Sequence, residues 1–145
     1  MIKIERVIMN AELELAEKGF RMTKPRRDIL NLFTNNPAKH YSLDDIKSEI
    51  DIDNRQQNIA TIYNTVTFLV EEGIIAPYFF DNRKVVYELK KEFHAHFMCS
   101  KCKSITNIEV PGLACVDSLI EKNYHFSVEH SKVEFYGLCD KCSRE

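Results

Sequence analysis

The chain contains no uninterrupted apolar stretch approaching the roughly 18 residues that a membrane-crossing helix needs, so no membrane span is expected. Its first residues, Met1 to Arg6, already hold Lys3, Glu5 and Arg6 and lack the apolar core of a secretory signal. A cytoplasmic protein is therefore expected. There is also no excess of positive charge. The net charge is −2, which is not the footprint of a wholesale nucleic-acid binder. No low-complexity tract and no internal repeat beyond a pair of Cys motifs are visible, which removes solenoids and repeat arrays from consideration. No nucleophile or general base stands, by spacing, beside an open metal position, which counts against a metal hydrolase.

What is present is ordinary for a soluble globular chain. The sequence has 145 residues, 44% hydrophobic and 29% charged, enough for one compact domain or two small ones. Charge is unevenly distributed. From Lys18 to Arg27 the run holds Lys18, Arg21, Lys24, Arg26 and Arg27 with no acid between them. One face can be positive while the remainder is acidic. The plainer alternative is a solvated loop and helix start.

Apolar spacing predicts an amphipathic helix over 3–18, through Ile4, Val7, Ile8, Ala11 and Leu15, stopped by Gly19. Thr23 is placed to N-cap a second helix reaching Phe33, with Ile29, Leu30 and Phe33 inward and Pro25 tolerated in the first turn. Asn35-Asn36-Pro37 reads as a turn. Ser42-Leu43-Asp44-Asp45 resembles a capping box with Asp in the acidic role, opening a third helix through Ile46 and Ile50. After a polar stretch from Asp51 to Asn58, a fourth helix runs from Ile59 to Glu72 and ends at Gly73. Its stripe is Ile62, Val66, Leu69 and Val70; Thr61, Tyr63, Asn64 and Thr67 lie off it. Ile74–Phe80 and Val85–Leu89, joined by Asp81-Asn82-Arg83-Lys84, read as a hairpin. Helices followed by a hairpin predict a winged helix. Beyond Lys90-Lys91-Glu92 the composition turns to His, Cys and β-branched residues. Strands are expected near 93–99, 104–110, 124–128 and 132–138, with a helix from Pro111 to Lys122. The domains are therefore 1–90 and 91–145, in an α+β chain.

The strongest chemical signal is Cys99-Ser-Lys-Cys102 together with Cys139-Asp-Lys-Cys142. Each C-x-x-C knuckle lets two sulfurs reach one ion from a tight turn, and four thiolates make a closed tetrahedral Zn²⁺ site. The long segment between the knuckles means that such a site staples the first strand pair to the C-terminus. Redox disulfides and an iron centre are the competing readings. A closed site has no open coordination position and is structural rather than catalytic. Cys115 stands outside the knuckles and reads as a small buried hydrophobe.

A second constellation is His94-Ala95-His96, with Glu88 six residues before His94 and His40 far upstream. On a strand, residues two apart share a face, so His94 and His96 can share an ion. Imidazole with carboxylate suits Fe²⁺, Mn²⁺ or Zn²⁺. An H-x-H alone is weak, and an isolated His40 is normally dismissed.

These stretches together resemble the ferric uptake regulator family over the whole chain. The resemblance is carried by Gly19-Phe-Arg-Met-Thr-Lys-Pro-Arg26, Ile59-Ala-Thr-Ile-Tyr-Asn-Thr65, Tyr87-Glu-Leu89, His94-Ala-His96 before the first knuckle, and His130 leading to Tyr136-Gly-Leu-Cys139. It implies an N-terminal winged helix-turn-helix domain, a C-terminal α/β dimerisation domain, and a homodimer that binds double-stranded operator DNA. It also implies structural Zn²⁺ and a regulatory Fe²⁺ or Mn²⁺ held by His40, Glu88, His94 and His96. The family's further carboxylate falls here on Asn107, a neutral and weaker donor; Glu109, two residues on, is expected to face the same way and to compensate. An accessory site in the second domain, matched by His94 and His130, meets Ala95 and Ala114 where its acidic ligands belong, and is expected to be absent. The recognition helix is then Ile59–Glu72, with Thr61, Tyr63, Asn64 and Thr65 facing the major groove, Arg21 in a minor groove and Arg26 at phosphate.

The resemblance implies a repressor, not an enzyme, working by a hinge: metal binding sets the interdomain angle and so the spacing of recognition helices in the dimer. Asn64 resembles the peroxide-responsive branch of the family, and Glu88 the iron-responsive branch; peroxide sensing is slightly favoured over iron-responsive uptake control. A zinc-stabilised protein–protein adaptor without DNA binding is the rival from another class, and a thiol redox protein a further one.

Overall fold

The computed structural model describes residues 2–50, 58–80, 84–91 and 93–144, and the chain divides into two compact units, Met1–Lys90 and Lys91–Glu145. The polar stretch 51–57 and the hairpin tip 81–83 lie outside the described residues.

The first unit opens with α1 (Ile2–Glu17), α2 (Lys24–Asn35), α3 (Leu43–Ile50) and α4 (Ile59–Glu71), followed by β1 (Ile75–Phe80) and β2 (Lys84–Leu89). The expected stripes of α2, α3 and α4 become one core, while the side chains of Ile4, Val7 and Ile8 on α1 lie outside the described residues. Ile29, Phe33, Ile46, Ile62, Val66 and Leu69 pack with Tyr41, Ile75 and Leu89. Phe33 and Tyr41 meet edge to face, ring centroids 5.2 Å apart, the arrangement that ring quadrupoles favour. Helix ends are set locally. Gly19 (φ +81°) and Gly73 (φ +69°) adopt the left-handed conformation that L side chains avoid. After each, the chain folds back: Phe20 N–H donates to the Leu15 carbonyl and Ile74 N–H to the Leu69 carbonyl, the closing bonds of a Schellman turn. Asn58 caps α4, its side chain accepting from Ala60 N–H. Thr23 stands at the N-cap of α2 in extended conformation, but its hydroxyl makes no capping bond.

The capping box of α3 is complete. Ser42 N–H donates to Asp45 Oδ2 (2.8 Å) and Asp45 N–H donates to Ser42 Oγ (3.1 Å), while the Ser42 hydroxyl also reaches Asp45 Oδ2 (2.6 Å). The hydrogen bond from the Ser42 side chain, above all, holds the Asp45 carboxyl below its ordinary value. A depressed carboxylate stabilises the fold above its unfolded value, about pH 4, and that contribution is lost as pH falls through the lower folded-state value. Asp45→Ala is expected to cost about 1 kcal/mol in urea unfolding at neutral pH. The gap from wild type should close as the pH is lowered below about 4. A gap unchanged by acid would show that the charge of Asp45 is not what stabilises this helix start.

β1 and β2 pair antiparallel, from Ile75 opposite Leu89 to Phe80 opposite Lys84. Tyr41 adds an isolated antiparallel bridge to Tyr87, each backbone N–H donating to the other's carbonyl. This is a winged helix with a third, one-residue strand.

The second unit contains β3 (Ala95–Cys99), β4 (Ile105–Ile108), a 3₁₀ turn (Leu113–Cys115), α5 (Val116–Tyr124), β5 (Glu134–Gly137) and the short α6 (Asp140–Ser143). Strand order is β4-β3-β5, antiparallel between β3 and β4 and parallel between β3 and β5. The strand expected near 124–128 does not form. α5 runs through Tyr124 and is closed by His125 in left-handed conformation, its N–H donating to the Glu121 carbonyl. A β-rich composition makes a strand only where a neighbouring strand accepts its hydrogen bonds. Among the described residues no helix is long and apolar enough to cross a membrane.

Candidate metal centres and nucleic-acid interface

The two knuckles meet. The Sγ atoms of Cys99, Cys102, Cys139 and Cys142 all lie within 4.8 Å of one another. Parallel pairing of β3 with β5 brings Cys99 opposite Gly137, so each knuckle leaves its strand at the same end of the sheet. Cys102 and Cys139, one from each knuckle, are 3.8 Å apart. Tetrahedral Zn–S bonds of about 2.3 Å require a sulfur separation of about 3.8 Å. The first knuckle turns through Lys103, which takes a left-handed φ of +62°. Backbone N–H groups point at the sulfurs, as Cys139 N–H does at Cys99 Sγ (3.4 Å). That hydrogen bond is the main reason that the Cys99 thiol falls to about 6. The Ser104 hydroxyl, 3.1 Å away, lowers Cys102. Cys142 is instead pushed up to about 12, first by burial and then by the neighbouring thiols. Four thiolates crowded this closely repel unless a cation lies among them, and the donor set fits a soft or borderline divalent ion. Cys115 is exposed at the end of the 3₁₀ turn, so its expected burial as a small hydrophobe is not observed in this chain.

The histidines and carboxylate of the second constellation are distributed over the two units. In the first, the Tyr41–Tyr87 bridge sets His40 directly across from Glu88, so both side chains lie on one face. His40 Nε2 stands 3.2 Å from Glu88 Oε2, and the two side chains are only 4% and 3% exposed. A carboxylate so thoroughly removed from water requires a cationic or hydrogen-bonding partner. In sequence His40 and Glu88 are unconnected; the one-residue bridge that joins them has no periodic signature. In the second unit, His94, one residue before β3, and His96 on it bring their rings together, with Nε2 atoms 3.2 Å apart and ring centroids 4.6 Å apart.

Asn107 lies opposite His96 across the β3–β4 pair. The expected compensation by Glu109 is not supported. β4 ends at Ile108, so the alternation that would turn Glu109 the same way as Asn107 stops one residue short, and Glu109 is exposed. On the other side of His96 the register places Glu134, which no motif in the sequence marks. Glu134 accepts from the Tyr136 hydroxyl (2.6 Å) and pairs with Lys132. Burial pushes its carboxyl up, but those hydrogen bonds and the nearby positive charge win, and it is held below the ordinary range.

α4 presents Tyr63, 56% exposed, and Asn64 to solvent, with Thr61 half-buried. Thr65, expected to face the groove, is instead 7% exposed, on the core side with Ile62, Val66 and Leu69. Three residues beyond Ile62 and one turn before Leu69, it falls within the apolar stripe and cannot face a groove. The basic run is largely paired. Lys18 reaches Glu72 (2.7 Å), Lys24 reaches Asp28 (2.6 Å) and Arg27 reaches Glu12 (3.3 Å). Arg26 lies over the Phe68 ring, 3.7 Å from its centroid, and donates from Nη1 to the Arg21 carbonyl (2.8 Å). Phe20 also meets Phe68 edge to face. Arg26 therefore clamps the 19–23 loop to α4. Arg21 is exposed and has no ion-pair partner among the described residues.

The chain is similar to known proteins over most of its length. The family model "Ferric uptake regulator family" matches residues 17–136. The chain is 33% identical over 131 residues to the ferric uptake regulation protein of Neisseria meningitidis, covering 89% of this chain and 90% of that one. It is 30% identical to the peroxide operon regulator of Bacillus subtilis, covering 90% of each. The solved ferric uptake regulator of Francisella tularensis with iron superposes with a TM-score of 0.74 at 35% identity, over 88% of this chain and 96% of that one. With its winged helix, its mixed three-stranded second unit and its paired knuckles, the chain belongs to the ferric uptake regulator family of metal-responsive transcription regulators.

Proposed function

We propose that this protein is a cytoplasmic, homodimeric repressor that binds double-stranded operator DNA when a divalent ion, Fe²⁺ or Mn²⁺, occupies a regulatory site, and that carries a structural Zn²⁺ on its four paired cysteines. The observation that carries the reading is the burial of His40 against Glu88 in the winged-helix unit, an imidazole and a carboxylate that together offer half a set of metal ligands. His94 and His96, with Asn107, form the complementary half-set in the second unit. When bound to both half-sets, a divalent ion stabilises one angle between the units by its differential affinity. Each residue's part is then simple. His40 and Glu88 present their donors from the edge of the wing, and His94 and His96 present theirs from the start of β3 and the residue before it. Thr61, Tyr63 and Asn64 read bases from α4, Arg21 enters a minor groove, and Arg26 holds Arg21 in place against Phe68. Leu119, Tyr124, Phe126, Phe135, Tyr136 and Leu138, exposed on the second unit, supply the apolar surface that a partner subunit covers.

The test is anaerobic binding of operator-length duplex by the zinc-loaded protein with and without Mn²⁺ or Fe²⁺. Binding that requires the second metal is expected. Equal binding without it would leave a constitutive repressor, and no duplex binding at all would favour the zinc-stabilised adaptor. For the signal, peroxide sensing is preferred over iron-responsive uptake control, on Asn64. Mass spectrometry of iron-loaded protein after peroxide should find added oxygen on His40 or His94; its absence would turn the reading to iron.

A further inference from the structure

Strand register in the second unit creates a row that sequence order conceals. His96 is fully buried near the start of β3. Asn107 on β4 and Glu134 on β5 are both its direct cross-strand partners. Directly paired residues project to the same face with Cβ atoms about 5 Å apart, so Asn107, His96 and Glu134 stand in line across the sheet. Asn107 brings no charge to that face. Glu134 brings a carboxylate one strand away, and its arm is one methylene longer than that of an aspartate on β4.

We propose that Glu134 supplies a second anionic ligand of the regulatory metal site besides Glu88, from β5, in place of the neutral Asn107 on β4. This rests on the reading of His96 as a regulatory ligand given above. The Glu134 side chain is 18% exposed, and its orientation is held by Lys132 and by the Tyr136 hydroxyl. Neither partner exhausts it, because an ionised carboxylate offers about four lone-pair sites. Tyr136 on Oε2 restricts the carboxylate's rotation and leaves Oε1 to be shared between Lys132 and a cation at His96. Lys132 then acts as a built-in competitor: its ammonium neutralises Glu134 until a divalent ion displaces it. A site with one carboxylate from β5 also has the same formal charge as one with a carboxylate from β4. The substitution at position 107 thus changes the direction from which the charge arrives and leaves the total unchanged.

The experiment is Mn²⁺ titration of the full-length, zinc-loaded protein without DNA, followed by calorimetry and by loss of the free Mn²⁺ paramagnetic resonance signal. Zinc content is checked for every variant. Wild type should bind one Mn²⁺ per chain outside the cysteine site. Glu134→Gln, which keeps size and shape, should weaken that binding by about 10- to 100-fold. Asn107→Asp should restore it when combined with Glu134→Gln. Lys132→Met should strengthen binding several-fold, a gain that loss of a merely structural ion pair would not produce. Equal Mn²⁺ affinity in wild type and Glu134→Gln, both zinc-replete, would overturn the proposal while leaving the regulatory site in place. Failure of wild type itself to bind a second ion would overturn the regulatory reading on which it rests.

Discussion

Cys142→Ser is expected to unfold the second unit and leave the first standing. The reason lies in how little the second unit buries on its own. Among the described residues its buried apolar side chains are Ala95, Met98 and Cys99, whereas the first unit has a continuous core from Ile29 to Leu89. Full burial of a large apolar side chain contributes about 1.5–3 kcal/mol. A structural Zn²⁺ site contributes about 10 kcal/mol or more. In the second unit the metal therefore stabilises more than the apolar core does, and it joins residues that β3 and β5 bring to one end of the sheet. Metal analysis should show zinc lost from the variant. Hydrogen exchange should show amide protection lost across 95–99, 105–108 and 134–137 but kept across α2 and α4. Persistence of protection in β3 and β5 without zinc would show that the cysteines are not the staple. Cys115→Ser is the control; outside the cluster and exposed, it should change neither quantity.

The second large effect is expected from His40→Ala. On the proposed switch this variant should lose Mn²⁺-dependent operator binding, with Mn²⁺ affinity reduced by about 100-fold or more, since even residues behind the ligands commonly cost 10- to 100-fold. It should also leave Glu88 buried without its imidazole neighbour. A modest loss of stability in the first unit is therefore expected, of about 1–3 kcal/mol. These consequences separate cleanly. His40→Gln retains a polar partner for Glu88 and should recover most of the stability without recovering the metal response. If His40→Ala bound operator with unchanged Mn²⁺ dependence, the two half-sets would not form one site, and the hinge would have to be sought elsewhere. Zinc content should be unaffected in either variant, because the cysteine cluster shares no residue with the wing.

Much of this architecture is legible in the sequence, because its signals are local. Helix stripes repeat every three or four residues, Gly19 and Gly73 stop helices by their own backbone freedom, and Ser42 and Asp45 are three residues apart and cap each other. The C-x-x-C knuckles are likewise local, so four thiolates and the ion they suit are readable from spacing alone. Sequence and structure part where a residue's place depends on what lies beyond its own segment. Thr65 reads outward from its motif, but its helical phase against Ile62 and Leu69 puts it in the core. Glu109 belongs by alternation to a strand that ends one residue earlier, and the run near 124–128 finds no neighbour to pair with. Arg26 reads as a phosphate contact, while its guanidinium is engaged by Phe68, far along the chain on α4.

Periodicity and short spacing are enough to settle the kinds of element, the winged-helix order and the ligands of the cysteine site, because each of these is written within a few consecutive turns or residues. Folding alone establishes that a one-residue bridge between Tyr41 and Tyr87 sets His40 against Glu88, and that strand register sets Glu134 beside His96. Register is chosen by packing and pairing across strands distant in the chain, and a shift of one residue would turn either carboxylate to the opposite face.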